Sequence, residues 1–396
     1  MTERLYYSEP YRTTFDATVT RQEVVEGKTH VVLDRTAFYP TSGGQPYDVG
    51  ELGEARVLDV IDRDDGEIAH VVDRPLAPGA QVAGAIDWAR RFDHMQQHTG
   101  QHVLSAAFDR LFKARTESFH LGTAAATIDL GREVTQSEIA AAEDEANRIV
   151  WEDRPVTIRF ASAEEAAAMP LRKESARTGA LRLIAIENYD LSACGGTHVA
   201  RTGAIGIIAI GGAEKFRGGT RVEFLCGGRA LARFRNWRDA FAATQRQLSV
   251  SPSELSAAVE RMQSEARTMQ RTMRGLQEQL ATHKAAELVA SATRTGERVI
   301  IVHALEGWDA AGLKSLAAAA AAQEPRAAIA LFSMTSPALV VVARGSAAPV
   351  DAAVVLRSLL TAFGGRGGGK PDLAQGGGLS ASEDQLTRLA TELLGS

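Results

Sequence analysis

Two short segments carry ligand-type residues at tight spacing: His98-Thr-Gly-Gln-His102 and, about ninety residues later, Cys194-Gly-Gly-Thr-His198. On a helix, residues i and i+4 share one face a turn apart, so His98 and His102 can grip one ion together. The Gly-Gly between Cys194 and His198 lets the backbone bend until thiolate and imidazole aim at the same point. Three imidazoles and one thiolate suit Zn²⁺. Thr99 follows His98 where a zinc-protease helix carries glutamate, which disfavours a peptidase. Four protein ligands usually close a structural ion, whereas a catalytic ion keeps a position for water, and the motifs leave both readings open. Asp93 and Asp190 flank the two motifs and are candidates to hold an ion-bound imidazole, with surface carboxylates as the default. Gln101, one residue before His102, is expected to face solvent. Cys226 reads as a buried apolar residue, and Cys194 as a covalent nucleophile is the minor reading.

The elements around these motifs change character along the chain. Up to about Trp88 the sequence is β-rich. Short runs such as Ala17–Thr20, His30–Leu33, Ala55–Val60 and Ile68–Val72, separated by turns, predict a small barrel. One loop interrupts it, Phe38-Tyr39-Pro40-Thr41-Ser42-Gly43-Gly44-Gln45-Pro46, where glycines permit close backbone approach to a ligand. From Arg90 the spacing becomes helical. A second helix is expected near Gln136–Trp151, with Ser137 available as a cap. Strands are expected at Thr157–Phe160, Leu181–Ile186, Gly206–Ile210 and Arg221–Leu225, giving an α+β core.

Beyond Arg229 an arm begins. Ser251-Pro252-Ser253-Glu254 is a helix start. Leu255, Val259, Met262, Ala266, Met269, Met273, Leu276 and Leu280 then follow a heptad seam. Phe234, Trp237 and Phe241 open an earlier helix able to fold back as a hairpin partner. The last hundred residues alternate strand and helix and contain the glycine-rich loop Gly364–Pro371. The expected fold is α+β and multidomain: a β-barrel over 1–89, a metal-binding α+β core over 90–228, a helical coiled-coil arm over 229–292 and an α/β domain over 293–396.

Whole-chain properties narrow the class. At 396 residues, 45% hydrophobic and 23% charged, the chain suits a multidomain globular protein. It has no apolar run long enough for a membrane span, and no leader pattern follows Met1. Two cysteines exclude a disulfide framework in practice and suit a reducing cytoplasm. The net charge of −5 does not announce a nucleic-acid binder, so RNA contacts must come from a local patch.

The two ligand motifs resemble the zinc motifs of alanyl-tRNA synthetase editing domains. Phe38–Gln45 resembles the glycine-rich loop of the same family, and the order and spacing of all three agree. The chain begins only a few dozen residues before that loop, so no aminoacylation domain is expected upstream. It is therefore similar to the long form of the free-standing alanyl-tRNA editing proteins, and Gly364–Gly378 is similar to the glycine-rich end of the domain that closes alanyl-tRNA synthetases. This resemblance implies zinc-dependent hydrolysis of the ester on alanine tRNA mischarged with serine, with glycine as a second target. Serine is alanine plus one hydroxyl, which an aminoacylation pocket cannot exclude well, so a second hydrolytic site must reject it.

Under that reading His98, His102, Cys194 and His198 hold the ion. Thr36, Thr41 and Ser42 are candidate readers of the serine hydroxyl, with turn capping as the alternative. Backbone N–H groups near Gly43-Gly44 (beside Gln45) or Gly195-Gly196 steady the oxyanion. His120 aligns approximately with a family position near the pocket. Arg172, Lys173, Arg366 and Lys370 are candidate tRNA contacts. The arm or the last domain binds tRNA or forms a homodimer. Two alternatives stay open: an RNA-binding module with a structural zinc, and an editor of threonine tRNA mischarged with serine.

Overall fold

Along Thr14–Val25 the inward residues Phe15, Ala17 and Val19 are buried while Thr14, Asp16 and Thr20 face out. That period of two makes one face of a half-buried strand. Glu26 and Gly27 both adopt left-handed backbone (φ 51° and 76°) and join this strand to Lys28–Leu33 as a two-residue hairpin. Six antiparallel strands close into a barrel, in the order Thr14–Val25, Lys28–Leu33, Ile68–Val72, Ala55–Asp62, Gly50–Leu52, Gln81–Ile86. Its interior is filled by Val31, Leu33, Leu52, Val57, Val60 and their neighbours. Closure removes the sheet edges and leaves the glycine-rich loop as the part that projects.

The computed structural model describes residues 1–172, 180–334 and 336–396. They divide into two units, Met1–Thr244 and Gln245–Ser396. Among the described residues no helix is long and apolar enough to cross a membrane.

In the first unit, helix α1 (Trp88–Phe112) follows the barrel directly. Asp87 caps it by accepting from Arg90 N, and Lys113, in left-handed backbone, ends it. The middle of α1 is buried on all sides, from Gln97 through Phe108. A four-stranded antiparallel sheet runs in the order Ile208–Phe216, Gly219–Cys226, Ala126–Leu130, Thr116–Leu121. It shares one apolar core with α1 and helix α2 (Gln136–Trp151). Gly100 sets this approach: a Cβ there would sit 2.2 Å from the Cys226 sulfur. A second sheet of three strands, Val156–Ala161, Leu181–Ile186 and Asp190–Ala193, leads straight into Cys194.

Arg91 joins barrel and helix. Its side chain is wholly buried and pairs with the equally buried Asp48, the residue that follows the glycine-rich loop and Tyr47. The same guanidinium donates to Pro10 O at 2.8 Å and Ala37 O at 2.6 Å. Asp48 also accepts from Tyr39 N at 2.7 Å. One ion pair therefore anchors both ends of the loop against α1.

In the second unit a six-stranded sheet runs Thr293–Thr295, Arg298–Leu305, Ala327–Ser333, Ala338–Arg344, Leu373–Leu379, Arg366–Gly369. Only the second and third strands are parallel, as the intervening helix Ala310–Gln323 requires. Helices Ala352–Phe363 and Glu383–Gly395 share one apolar core with the sheet. Ala310–Gln323 and the end of the long helix Leu255–Ala290 share the other.

Three sequence expectations change. Thr135, not Ser137, caps α2, because its hydroxyl and Glu138 form a reciprocal capping box. The strand expected at Gly206–Ile210 begins at Ile208 and runs on to Phe216. The Gly364–Pro371 loop contains a strand, Arg366–Gly369, paired with Leu373–Leu379. There a Cβ on Gly369 would lie 2.3 Å from Ala374 Cα, so glycine is what allows the pairing. The seam is also bare: Met262, Met269, Met273, Leu276 and Leu280 are all more than half exposed, as are Phe234 and Trp237.

Thr36, offered as a hydroxyl reader, lies inside the fold instead. It is fully buried and its hydroxyl bonds His70 Nε2 at 2.8 Å. Burial pushes the pKa of His70 down to about 4, against the opposing effect of its Nδ1–H donation to Val31 O at 3.1 Å, so the ring is neutral at pH 7. A histidine that ionises freely only when unfolded makes the unfolded chain bind more protons between pH 6.5 and 4, so stability falls as pH drops through that window. Replacing His70 with Gln should remove this contribution, worth up to about 3 kcal/mol. Urea unfolding of both proteins at pH 7, 6 and 5 checks it: the wild type should lose stability faster with acid than His70→Gln.

Candidate metal centre

The ligand cluster forms where α1 meets the Cys194–His198 turn. One candidate atom from each of His98, His102, Cys194 and His198 lies within 4.8 Å of the others. The Cys194 sulfur is 3.3 Å from both His98 Nε2 and His198 Nε2. Ring centroids are 4.5 Å apart for His98 and His198, and 4.7 Å for His102 and His198.

The outer nitrogens decide whether this set fits an ion. His98 Nδ1 donates to Gln45 Oε1 at 2.8 Å, and His102 Nδ1 to Asp190 Oδ2 at 3.2 Å. Thr99 Oγ1 gives its proton to Met95 O, so it must accept from His198 Nδ1 at 3.2 Å and from Val199 N at 3.1 Å. Each imidazole is therefore held as the Nδ1–H tautomer with its Nε2 lone pair aimed inward. This is the arrangement that orients metal-bound histidine. Burial alone would raise the Cys194 thiol, but the His98 and His198 rings outweigh it and hold the thiol well below its ordinary value. Burial would likewise raise the Asp190 carboxyl; the bond from His102 and the Arg172 guanidinium prevail and hold it at about 2. Three imidazole nitrogens and a thiolate fit Zn²⁺ with a tetrahedral shell.

Gln45 brings the barrel loop into the centre. Besides accepting from His98, its Oε1 accepts from Thr197 N at 3.1 Å, and its Nε2 donates to Thr197 Oγ1 at 2.8 Å. The loop can reach in because Gly43 and Gly44 are left-handed (φ 53° and 80°), closing the tight turn between Ser42 and Gln45. A Cβ on Gly44 would meet Phe119 at 2.7 Å.

A cavity of about 660 Å³ opens beside the cluster. Of the residues expected at the site, His102, Cys194, Ser42, Gly43, Gly44, Gly195, Gly196 and Arg172 line it. Six others described in the first unit do not. His98 and His198 are buried, Thr36 is engaged with His70, Thr41 is exposed, Gln45 is buried, and His120 is exposed on its strand while Phe119 lines the cavity. The Gly196 N–H meets the Cys194 sulfur at 3.4 Å, which engages it with the thiolate rather than with a ligand. Arg172 donates to Asp190 Oδ1 at 2.6 Å and Ser192 Oγ at 3.1 Å, so it braces the centre and is not a free tRNA contact. Lys173 lies outside the described residues. Arg366 and Lys370 are exposed in the second unit. Asp93 pairs with Arg229 and holds no imidazole.

Two cavity residues escaped the sequence reading. Gln101 is 3% exposed and lines the cavity, not solvent. A wholly buried helix has no solvent face, so the step of about 100° from His102 still leads to another wall of the same space. Arg182 is the other; its signal was a charge inside the apolar run Leu181–Ile186.

The whole chain aligns with 99% of the alanyl-tRNA editing protein AlaX-L of Pyrococcus horikoshii, at 32% identity. The chain belongs to the family of alanyl-tRNA editing proteins. Mouse alanyl-tRNA editing protein Aarsd1 is 34% identical over 74% of this chain and 71% of its own length. The alanine–tRNA ligase of Pyrococcus abyssi is 33% identical over 95% of this chain but only 42% of its own length. Three family matches fall on separate parts of the chain. Residues 2–90 match tRNA synthetases class II (A), and 181–223 match the threonyl and alanyl tRNA synthetase second additional domain. Residues 297–396 match the DHHA1 domain.

Partners of metal-bound histidines commonly support metal affinity by 10–100-fold. Gln45→Ala should therefore weaken Zn²⁺ binding by about that factor without unfolding the barrel. Competition with a chromophoric chelator measures it, and an affinity equal to wild type would show that Gln45 does not support the ion.

Proposed function

We propose that this editing-family member is a zinc-dependent deacylase acting in trans on alanine tRNA mischarged with serine, and secondarily with glycine. The observation that carries the reading is the set of three inward Nε2 atoms and one thiolate, of which His102 and Cys194 stand in the wall of a cavity also lined by the Gly43-Gly44 turn. A bound Zn²⁺ would supply a Lewis acid that orients the aminoacyl end. With four protein donors its shell is full, so contact with the aminoacyl end requires one donor to give way, and no position is kept for a zinc-bound water. The chain's own residues do the rest. Asp190, Gln45 and Thr99 fix the imidazoles, and the glycine turn lets the ester's backbone-sized end approach closely. The volume suits an aminoacylated nucleoside.

In the second unit, the exposed Arg366 and Lys370 beside bare glycine N–H groups suit phosphate contacts. The exposed Met262–Leu280 seam suits a coiled-coil partner helix from a second copy. A reduced thiolate ligand suits the cytoplasm.

Metal-loaded protein should release serine from serine-charged alanine tRNA, and His98→Ala should lose both zinc and hydrolysis. An intact ester in the presence of fully loaded wild type would sink the reading; serine-charged threonine tRNA as a parallel substrate tests the tRNA assignment. Met269→Glu with Met273→Glu should shift a sedimenting dimer to monomer, and a monomeric wild type would end the dimer reading.

A further inference from the structure

Arg182 sits in the cavity wall with its charge unmatched. It is 8% exposed, on the strand Leu181–Ile186. Its Nε donates to Tyr7 O at 2.9 Å, and its Nη1 donates to Cys194 O and Gly196 O, both at 2.8 Å. All its hydrogen-bond partners among the described residues are carbonyl oxygens, with the Tyr7 ring 5.6 Å away as an aromatic neighbour. Among the described residues Nη2 has no partner. Arg172, by contrast, is neutralised by Asp190. Among the described residues of the wall, two buried side-chain atoms lack partners, Gln101 Oε1 and Arg182 Nη2. Only the second is a donor, and an unpaired buried cation is costly unless a ligand supplies the missing acceptor. Burial pulls the guanidinium below its ordinary value, with the Cys194 thiolate acting in the opposite sense.

We propose that Arg182 is a catalytic residue whose free Nη2–H donates to the carbonyl oxygen of the scissile ester and to the oxyanion it becomes. This rests on the deacylase reading above. Nη1 fixes the fork to the Cys194–Gly196 turn, so Nη2 is held in the wall next to a ligand of the cluster; it is buried there, and the ester carbonyl reaches it only by seating against that wall. In the step, water oxygen bonds to the ester carbonyl carbon and the carbonyl π pair moves onto oxygen. Collapse then breaks the bond to the ribose oxygen. Water gives up one proton and the ribose oxygen gains one, so the products are the free amino acid and a terminal hydroxyl. A preorganised donor at that oxygen is stronger toward the full negative charge than toward the ester, so its effect falls on kcat. The backbone N–H of Gly196, an earlier candidate for this task, already meets the Cys194 sulfur.

The test uses full-length, zinc-loaded Arg182→Gln and Arg182→Ala on serine-charged alanine tRNA, with zinc content and thermal midpoint measured in parallel. The expected result is a kcat lower by about 100-fold with KM within about threefold, the scale seen when one oxyanion donor is removed. Methylguanidinium added to Arg182→Ala should restore at least about tenfold of kcat, and methylammonium should not, since only the planar fork fits both the turn and the ester. A rise in KM with kcat retained would assign Nη2 to a tRNA phosphate and overturn the proposal. Loss of zinc or of folding in both variants without guanidinium rescue would make Arg182 a positioning residue only. If wild type hydrolyses the ester and Arg182→Gln keeps more than about a third of its kcat, the Arg182 assignment alone fails. If wild type hydrolyses nothing, the deacylase reading fails and takes this one with it.

Discussion

The first unit depends on one buried ion pair. Arg91, the largest wholly buried side chain described, is matched by Asp48 with neither exposed to water. Taking both charges out of water costs several kcal/mol each, and only pairing and hydrogen bonding offset that. Here Pro10 O and Ala37 O take two of the donors that Asp48 does not, so most of the guanidinium N–H groups are paired. An ion pair of this kind tolerates little displacement. It fixes the start of α1 against the return of the glycine-rich loop, and from that contact the distances to Gln45, His98 and His102 follow.

The metal centre extends the same logic. Its three imidazoles are pinned by groups from separate places: Gln45 from the barrel loop, Thr99 from α1 itself and Asp190 from the three-stranded sheet. Asp190 is in turn pinned by Arg172 and Ser192. No single element could aim all three Nε2 lone pairs at one point. The site is therefore as precise as the packing of barrel, helix and sheet, which is why Gly100 and Gly44, each pressed against a neighbour, matter to the site without touching an ion.

Much of this was legible in the residues. The i,i+4 histidines and the Cys-Gly-Gly-Thr-His turn identified the ligand set, since donor type and local spacing are properties of the chain itself. Alternation identified the barrel strands, and capping signals identified the helix at Ser251. What misled was exposure. Gln101 was assigned to solvent by helix geometry that holds only for a helix with a wet side. Thr36 was assigned to the pocket by its place beside the glycine-rich loop and His120 by its likeness to a family position, yet one packs against His70 and the other is exposed beside Phe119. A strand's alternation separates neighbours such as Phe119 and His120 onto opposite faces, and which face meets the cavity is a tertiary fact.

The sequence by itself therefore determined the chemistry of the centre: which atoms can bind a metal, and that the glycine turn must bend. Only the tertiary structure decided the partners. It paired Arg91 with Asp48 across 43 residues, Gln45 with Thr197 across 152, and left Arg182 Nη2 buried in the cavity wall with no partner among the described residues. The physical reason is that donor and acceptor identity is local and covalent, whereas the satisfaction of a buried polar group depends on which distant segment folding brings within about 3 Å of it.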